Sequence, residues 1–176
     1  MGIYFEELGT YLTFFCIYMV SIIILKLCWK KSWGFLLCYS IFYLYITEVI
    51  RITQFPLYFI DRAEQNLSIW QGVSLVPFVS IDPKGYLLNT LLTIPFGFGL
   101  PFLLRMSWKR MMIVGFTFTL LIEVTQFLIG YRIADIDDII FNFLGSMIGY
   151  ALFKGLKFVL LKLFRGDTEK MPAIFD

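Results

Sequence analysis

Five runs of apolar residues, separated by short polar stretches, set the pattern of this chain. They cover residues 8–27, 33–55, 86–104, 111–129 and 139–161. At ~1.5 Å of rise per residue, each run written as a helix is long enough to cross a ~30 Å hydrocarbon core with modest adjustment. The pattern predicts an all-α integral membrane protein, a bundle of about five transmembrane helices. Residues 1–164 are expected to form a single transmembrane domain, with a cytoplasmic, poorly ordered polar tail at 165–176. The first run lacks a basic leading region and a small-residue cleavage site, so it is expected to be a retained helix. Residues 57–85 join the second and third runs. Within them VSLVPFVSI is apolar but too short to span, and Pro77 interrupts it. This segment is expected either at the membrane interface, with Trp70 as an anchor, or re-entering among the helices.

Composition supports the same class. Of the 176 residues 59% are apolar, 19% aromatic and only 16% charged, well below the quarter of charged residues usual in soluble domains. The chain contains no histidine, and its three cysteines, Cys16, Cys28 and Cys38, show no CxxC spacing. A zinc site is therefore disfavoured, and the cysteines read as small packing residues. No phosphate-cradling glycine loop is present, and nothing suggests a nucleic-acid partner.

Charge distribution adds an orientation. Eleven of the 15 Lys and Arg residues fall on one side of the predicted spans, leaving Arg51, Arg62, Lys84 and Arg132 on the other. Ten of the 13 acids lie with those four. The excess of basic residues marks the cytoplasmic side. The N-terminus is therefore expected outside and the C-terminus in the cytoplasm. The run of lysines at 154, 157 and 162 reads as the last span reaching the headgroups.

With that orientation the unusual polar residues share one depth. Glu48 and Arg51 close the second span, and Asn89 and Thr93 open the third. Glu123 and Gln126 close the fourth, and Asp135, Asp137, Asp138 and Asn142 lead into the fifth. Glu48 and Arg51 are i, i+3, as are Glu123 and Gln126. Asp138, Asn142, Gly145 and Gly149 step along one face, as do Asn89, Thr93 and Gly97, so polar heads pass into small-residue grooves that let helices approach closely. Glu123 should lie about 9 Å inside the boundary. A carboxylate at that depth must pair, accept several hydrogen bonds, bind a cation or stay protonated.

Three chemistries could use such a layer. Glu123 with Asp135 or Asp138 could form an acid/base pair, which makes Glu123 and Asp138 the candidate catalytic residues. Glu123, Asp135 and Asp138, with Asn142, could hold a divalent cation; no other cofactor is evident. Arg51 and Arg132 could clamp a phosphate or carboxylate. The residues alone leave these open, along with a purely architectural role in packing. A serine nucleophile is disfavoured without a histidine to activate it.

At these residues the chain resembles the VanZ family of bacterial membrane proteins. The resemblance rests on LVPF at 75–78, Asn89 followed by Pro95 and Gly97, IEVTQ at 122–126, Arg132, DIDDIIFN at 135–142, Gly145 and Gly149. It covers roughly residues 73–150 and, more weakly, the first two spans. Thr119 stands where a serine is expected before the Glu, and Ser74 where an Asn often precedes LIPF. The resemblance implies action at the cell envelope and a contribution to resistance against glycopeptide antibiotics of the teicoplanin type. The polar layer of Glu48, Arg51, Asn89, Glu123, Gln126, Arg132, Asp135, Asp138 and Asn142 would then bind an antibiotic or an envelope lipid such as a lipid-linked cell-wall precursor. Two alternatives stand beside it: a membrane-embedded hydrolase or transferase acting on lipid-linked intermediates, and a structural partner of another membrane protein. The oligomeric state is open.

Overall fold

A computed structural model of the chain describes residues 7–55, 73–79, 81–129 and 134–164. Five helices dominate it. α1 spans Glu7–Ile23 and continues through a π-helical turn, Ile24–Cys28; α2 spans Trp33–Gln54. α3 spans Pro83–Gly99 and runs on into a 3₁₀ turn, Leu100–Phe102; α4 spans Trp108–Ile129 and α5 Ile136–Leu163. Two short strands, β1 at Val73–Ser74 and β2 at Ala134–Asp135, pair in parallel, Val73 with Ala134 and Ser74 with Asp135.

Four of these segments are long and apolar enough to cross a membrane: Gly9–Cys28, Trp33–Gln54, Trp108–Leu128 and Ile136–Leu163. α3 is shorter at 17 residues, about 25 Å of helix, and its 3₁₀ turn extends it toward α4. The chain is an all-α membrane protein.

Local chemistry explains where the helices depart from the apolar runs. α3 begins at 83 rather than 86 because Pro83 fits the first turn, where its missing N–H costs nothing. It gives way at Gly99 and Pro101, well before residue 104. α4 gains three residues at its start, where the Ser107 hydroxyl accepts from the Arg110 N–H at 3.3 Å. α5 starts at 136 rather than 139 because Asp135 caps it, accepting the Asp137 N–H at 3.0 Å.

The tightest contact in the bundle is between α3 and α5. A Cβ added at Gly97 would strike the Ser146 carbonyl; one at Gly145, the Thr90 carbonyl; one at Gly149, the Ile94 carbonyl. Backbone therefore meets backbone along the whole seam, as small residues permit in lipid. α4 packs on the other side of α5, where Gly115 leaves room for the Ser146 hydroxyl. Phe96, Leu100, Met111, Tyr150 and Phe153 form the buried apolar core. That core sits toward the basic end, where the Tyr150 hydroxyl donates to the Met106 carbonyl at 2.7 Å. The other end carries the polar residues.

Candidate functional site: a buried polar layer at one end of the bundle

α5 supplies the centre of the layer. Asp137, in its first turn, is 3% exposed. Its two carboxylate oxygens accept the Phe78 N–H at 3.1 and 3.0 Å, and one also accepts the Tyr86 hydroxyl at 2.9 Å. The carboxylate sits at a helix N-terminus, where the macrodipole favours negative charge. Its bond to Phe78 ties down the loop after β1, in which Phe78 takes the left-handed conformation at φ 62°. A bulky residue held at positive φ is maintained by its surroundings. Here they include an edge-on contact with Tyr86, which stacks on Phe141 at 4.2 Å between centroids.

One residue on, Asp138 accepts from the Asn89 side-chain amide of α3. A turn deeper, the Thr93 hydroxyl donates to the Asn142 carbonyl at 2.6 Å. Tyr86, Asn89 and Thr93 thus form one face of α3 laid against α5. α4 contributes Glu123, 2% exposed, whose carboxylate accepts the Asp135 N–H at 3.3 Å. Glu123 therefore holds the chain as it enters α5. Gln126 is also buried and donates to the Thr53 carbonyl of α2 at 2.9 Å. Gln54 reaches back to the Ile122 carbonyl at 3.4 Å.

These contacts bring together Asn89 of α3, Glu123 and Gln126 of α4, and Asp135, Asp138 and Asn142 at the start of α5, with α2 joined through Thr53. Glu48 and Arg51 are more exposed. They pair with one another at 2.8 Å on an exposed face of α2, with side chains 48% and 42% exposed. Arg132 lies outside the described residues, as do Trp70 and the tail at 165–176. Asp137 and Tyr86 are the site residues that sequence reasoning left out. The signal was present: Asp137 falls within the DIDD run, and Tyr86 is three residues before Asn89 on the same helical face.

Three buried atoms at this end keep unused hydrogen-bonding capacity: Gln54 Oε1, Thr119 Oγ1 and Asn142 Oδ1. Thr119 Oγ1 and Asn142 Oδ1 have no partner among the described residues, although the two residues are 0% and 2% exposed. Both lie one turn toward the polar end from the contact of Gly115 with Ser146, on facing sides of α4 and α5. Burying such a group unpaired costs about 1–3 kcal/mol. Asp135 is occupied as a cap, Asp138 is bonded to Asn89, and no three Cys, Asp or Glu side chains converge among the described residues.

A family model for VanZ/LLP1 matches residues 11–161, nearly the whole helical bundle. The chain belongs to the VanZ/LLP1 family. No curated protein and no solved structure matches it. The family match runs through every element of the polar layer in this VanZ/LLP1 chain, from the α2 end at Thr53 to Asn142.

Proposed function

We propose that this VanZ/LLP1 protein acts at the envelope of a bacterial cell, in the plasma membrane, and contributes to resistance against teicoplanin-type glycopeptides. Its polar layer faces outward and binds the antibiotic or an envelope lipid. The observation that carries this reading is the pair of buried, unpartnered groups, Thr119 Oγ1 and Asn142 Oδ1, beside the buried Glu123. A layer serving only as glue between helices would be expected to use up its own donors and acceptors. The excess of Lys and Arg at the opposite end supports the outward orientation.

A second reading, an architectural layer, is favoured by a different observation. The carboxylates of Glu123, Asp135 and Asp137 are bonded to backbone N–H groups of neighbouring segments, which is what structural anchors do.

Teicoplanin tolerance at matched membrane expression separates the two. Binding predicts that Glu123→Gln, Asp138→Asn and Asn142→Ala each lower tolerance while the protein remains folded. Retained tolerance in all three would leave the architectural reading standing. A cysteine at Gln65 should react from outside with an impermeant thiol reagent; reaction only after lysis would reverse the orientation.

A further inference from the structure

An apolar groove opens sideways between α2 and α3, with a volume of about 280 Å³. Cys38, Ile41 and Tyr45 line it from α2, and Pro95, Phe98 and Phe102 from α3 and its 3₁₀ turn. The sequence explains why it stays open. α3 turns its small residues Gly97 and Thr93 to α5, so its α2-facing side is left with a proline ring and Gly99, which lies against Phe42. Tyr45 closes the upper end, its hydroxyl donating to the Leu92 carbonyl at 2.8 Å. The volume falls just below the ~300–1,000 Å³ of pockets that hold whole small molecules. It suits a single hydrocarbon chain.

Along both chain segments, basic residues follow just beyond the lower end of the groove. Phe35, one turn below Cys38 on α2, carries the Lys31 ammonium over its ring at 4.7 Å. Arg105 lies three residues beyond Phe102 and is exposed. From Cys38 to Tyr45, the α2 residues that line the groove, the helix rises about 10 Å, some two thirds of the ~15 Å depth of one leaflet's hydrocarbon. Groove length, apolar lining and the cations beyond one end agree on one occupant. We propose that the α2–α3 groove holds one acyl chain of an anionic phospholipid, whose phosphate is held by Lys31 and Arg105 at the basic end. This site lies away from the polar layer and does not depend on that layer's role.

Native mass spectrometry of the full chain, purified in mild detergent, tests it. The expected result is a retained anionic phospholipid that Ile41→Trp, which fills the groove, removes. Gly155→Leu, at a position where an added side chain meets nothing within 4 Å, should leave retention unchanged. Lys31→Gln and Arg105→Gln should each lower the preference for anionic over zwitterionic lipid by about fivefold, the weight of one basic side chain at a charged membrane surface. Retention unaffected by Ile41→Trp, or no headgroup preference in the unaltered protein, would overturn the proposal. A second measurement avoids any folding defect in the tryptophan variant. With Cys16→Ser and Cys28→Ser, the maleimide reaction at Cys38 should slow when anionic lipid is added to the micelles. An unchanged rate would also overturn it.

Discussion

The two ends of this bundle handle charge in opposite ways. At the polar end the acids are buried and bonded to backbone far away in sequence: Asp137 holds Phe78, and Glu123 holds the start of α5. At the basic end cations rest on the rings of nearby residues. Lys26 lies 4.0 Å from the centroid of Trp33, Lys31 lies over Phe35, and Lys154 lies over Tyr150 at 5.4 Å. A buried carboxylate can be satisfied in few arrangements, so it specifies one. An exposed ammonium over a ring has many acceptable positions and a small energy. The contacts of the polar end therefore specify one structure, whereas those of the basic end tolerate change.

The α3–α5 seam offers the strongest way to break that contrast. Gly145 lies against the Thr90 carbonyl and the Thr93 hydroxyl, whereas a Cβ at Gly155, toward the basic end of the same helix, meets nothing within 4 Å. Gly145→Leu must push α3 away and part Thr93 from Asn142. We expect a loss of at least ~3 kcal/mol, above the usual cost of overpacking because backbone cannot give way. Gly155→Leu should be neutral or gain up to ~1 kcal/mol from helix propensity. Thermal unfolding of both variants in one detergent reads the difference. Equal melting temperatures would remove the distinction between the two ends.

Asp137 tests the same contrast with charge. Asp137→Ala leaves the Phe78 N–H and the Tyr86 hydroxyl without their acceptor, at a cost of about 2–3 kcal/mol. The loss should be local. The Phe78 amide, which Asp137 holds, should exchange hydrogen faster, while the helices keep their protection. Lys154→Met at the other end should cost less than ~1 kcal/mol. A large loss at Lys154 would mean that the basic end carries structural weight.

Much of this was legible from the chain itself. Five apolar runs gave five helices, and the stepping of Asn89, Thr93 and Gly97 against Asp138, Asn142, Gly145 and Gly149 anticipated the α3–α5 seam. What escaped depends on contacts distant in sequence. The β1–β2 ladder joins residues about sixty apart through only two residue pairs, too short to leave a periodic pattern. Asp137 looked like one acid among three until the loop at Phe78 was placed on it. The cap at Asp135 is a local signal, Asp followed by an apolar residue and two acids, and it would have moved the start of α5 by three residues.

Glu48 gives the smallest expected effect and the finest test. It has the residue type and depth of the polar layer, yet its side chain is half exposed and its bond is to Arg51 on its own helix. An exposed i, i+3 pair contributes ~0.5 kcal/mol or less. Glu48→Gln should therefore leave the melting temperature almost unchanged and teicoplanin tolerance intact, while Glu123→Gln, at the same level of the bundle, should not. Depth alone would make the two substitutions equivalent. If Glu48→Gln matches Glu123→Gln in either assay, position along the membrane normal matters more than burial between helices, and the layer extends onto the exposed face of α2.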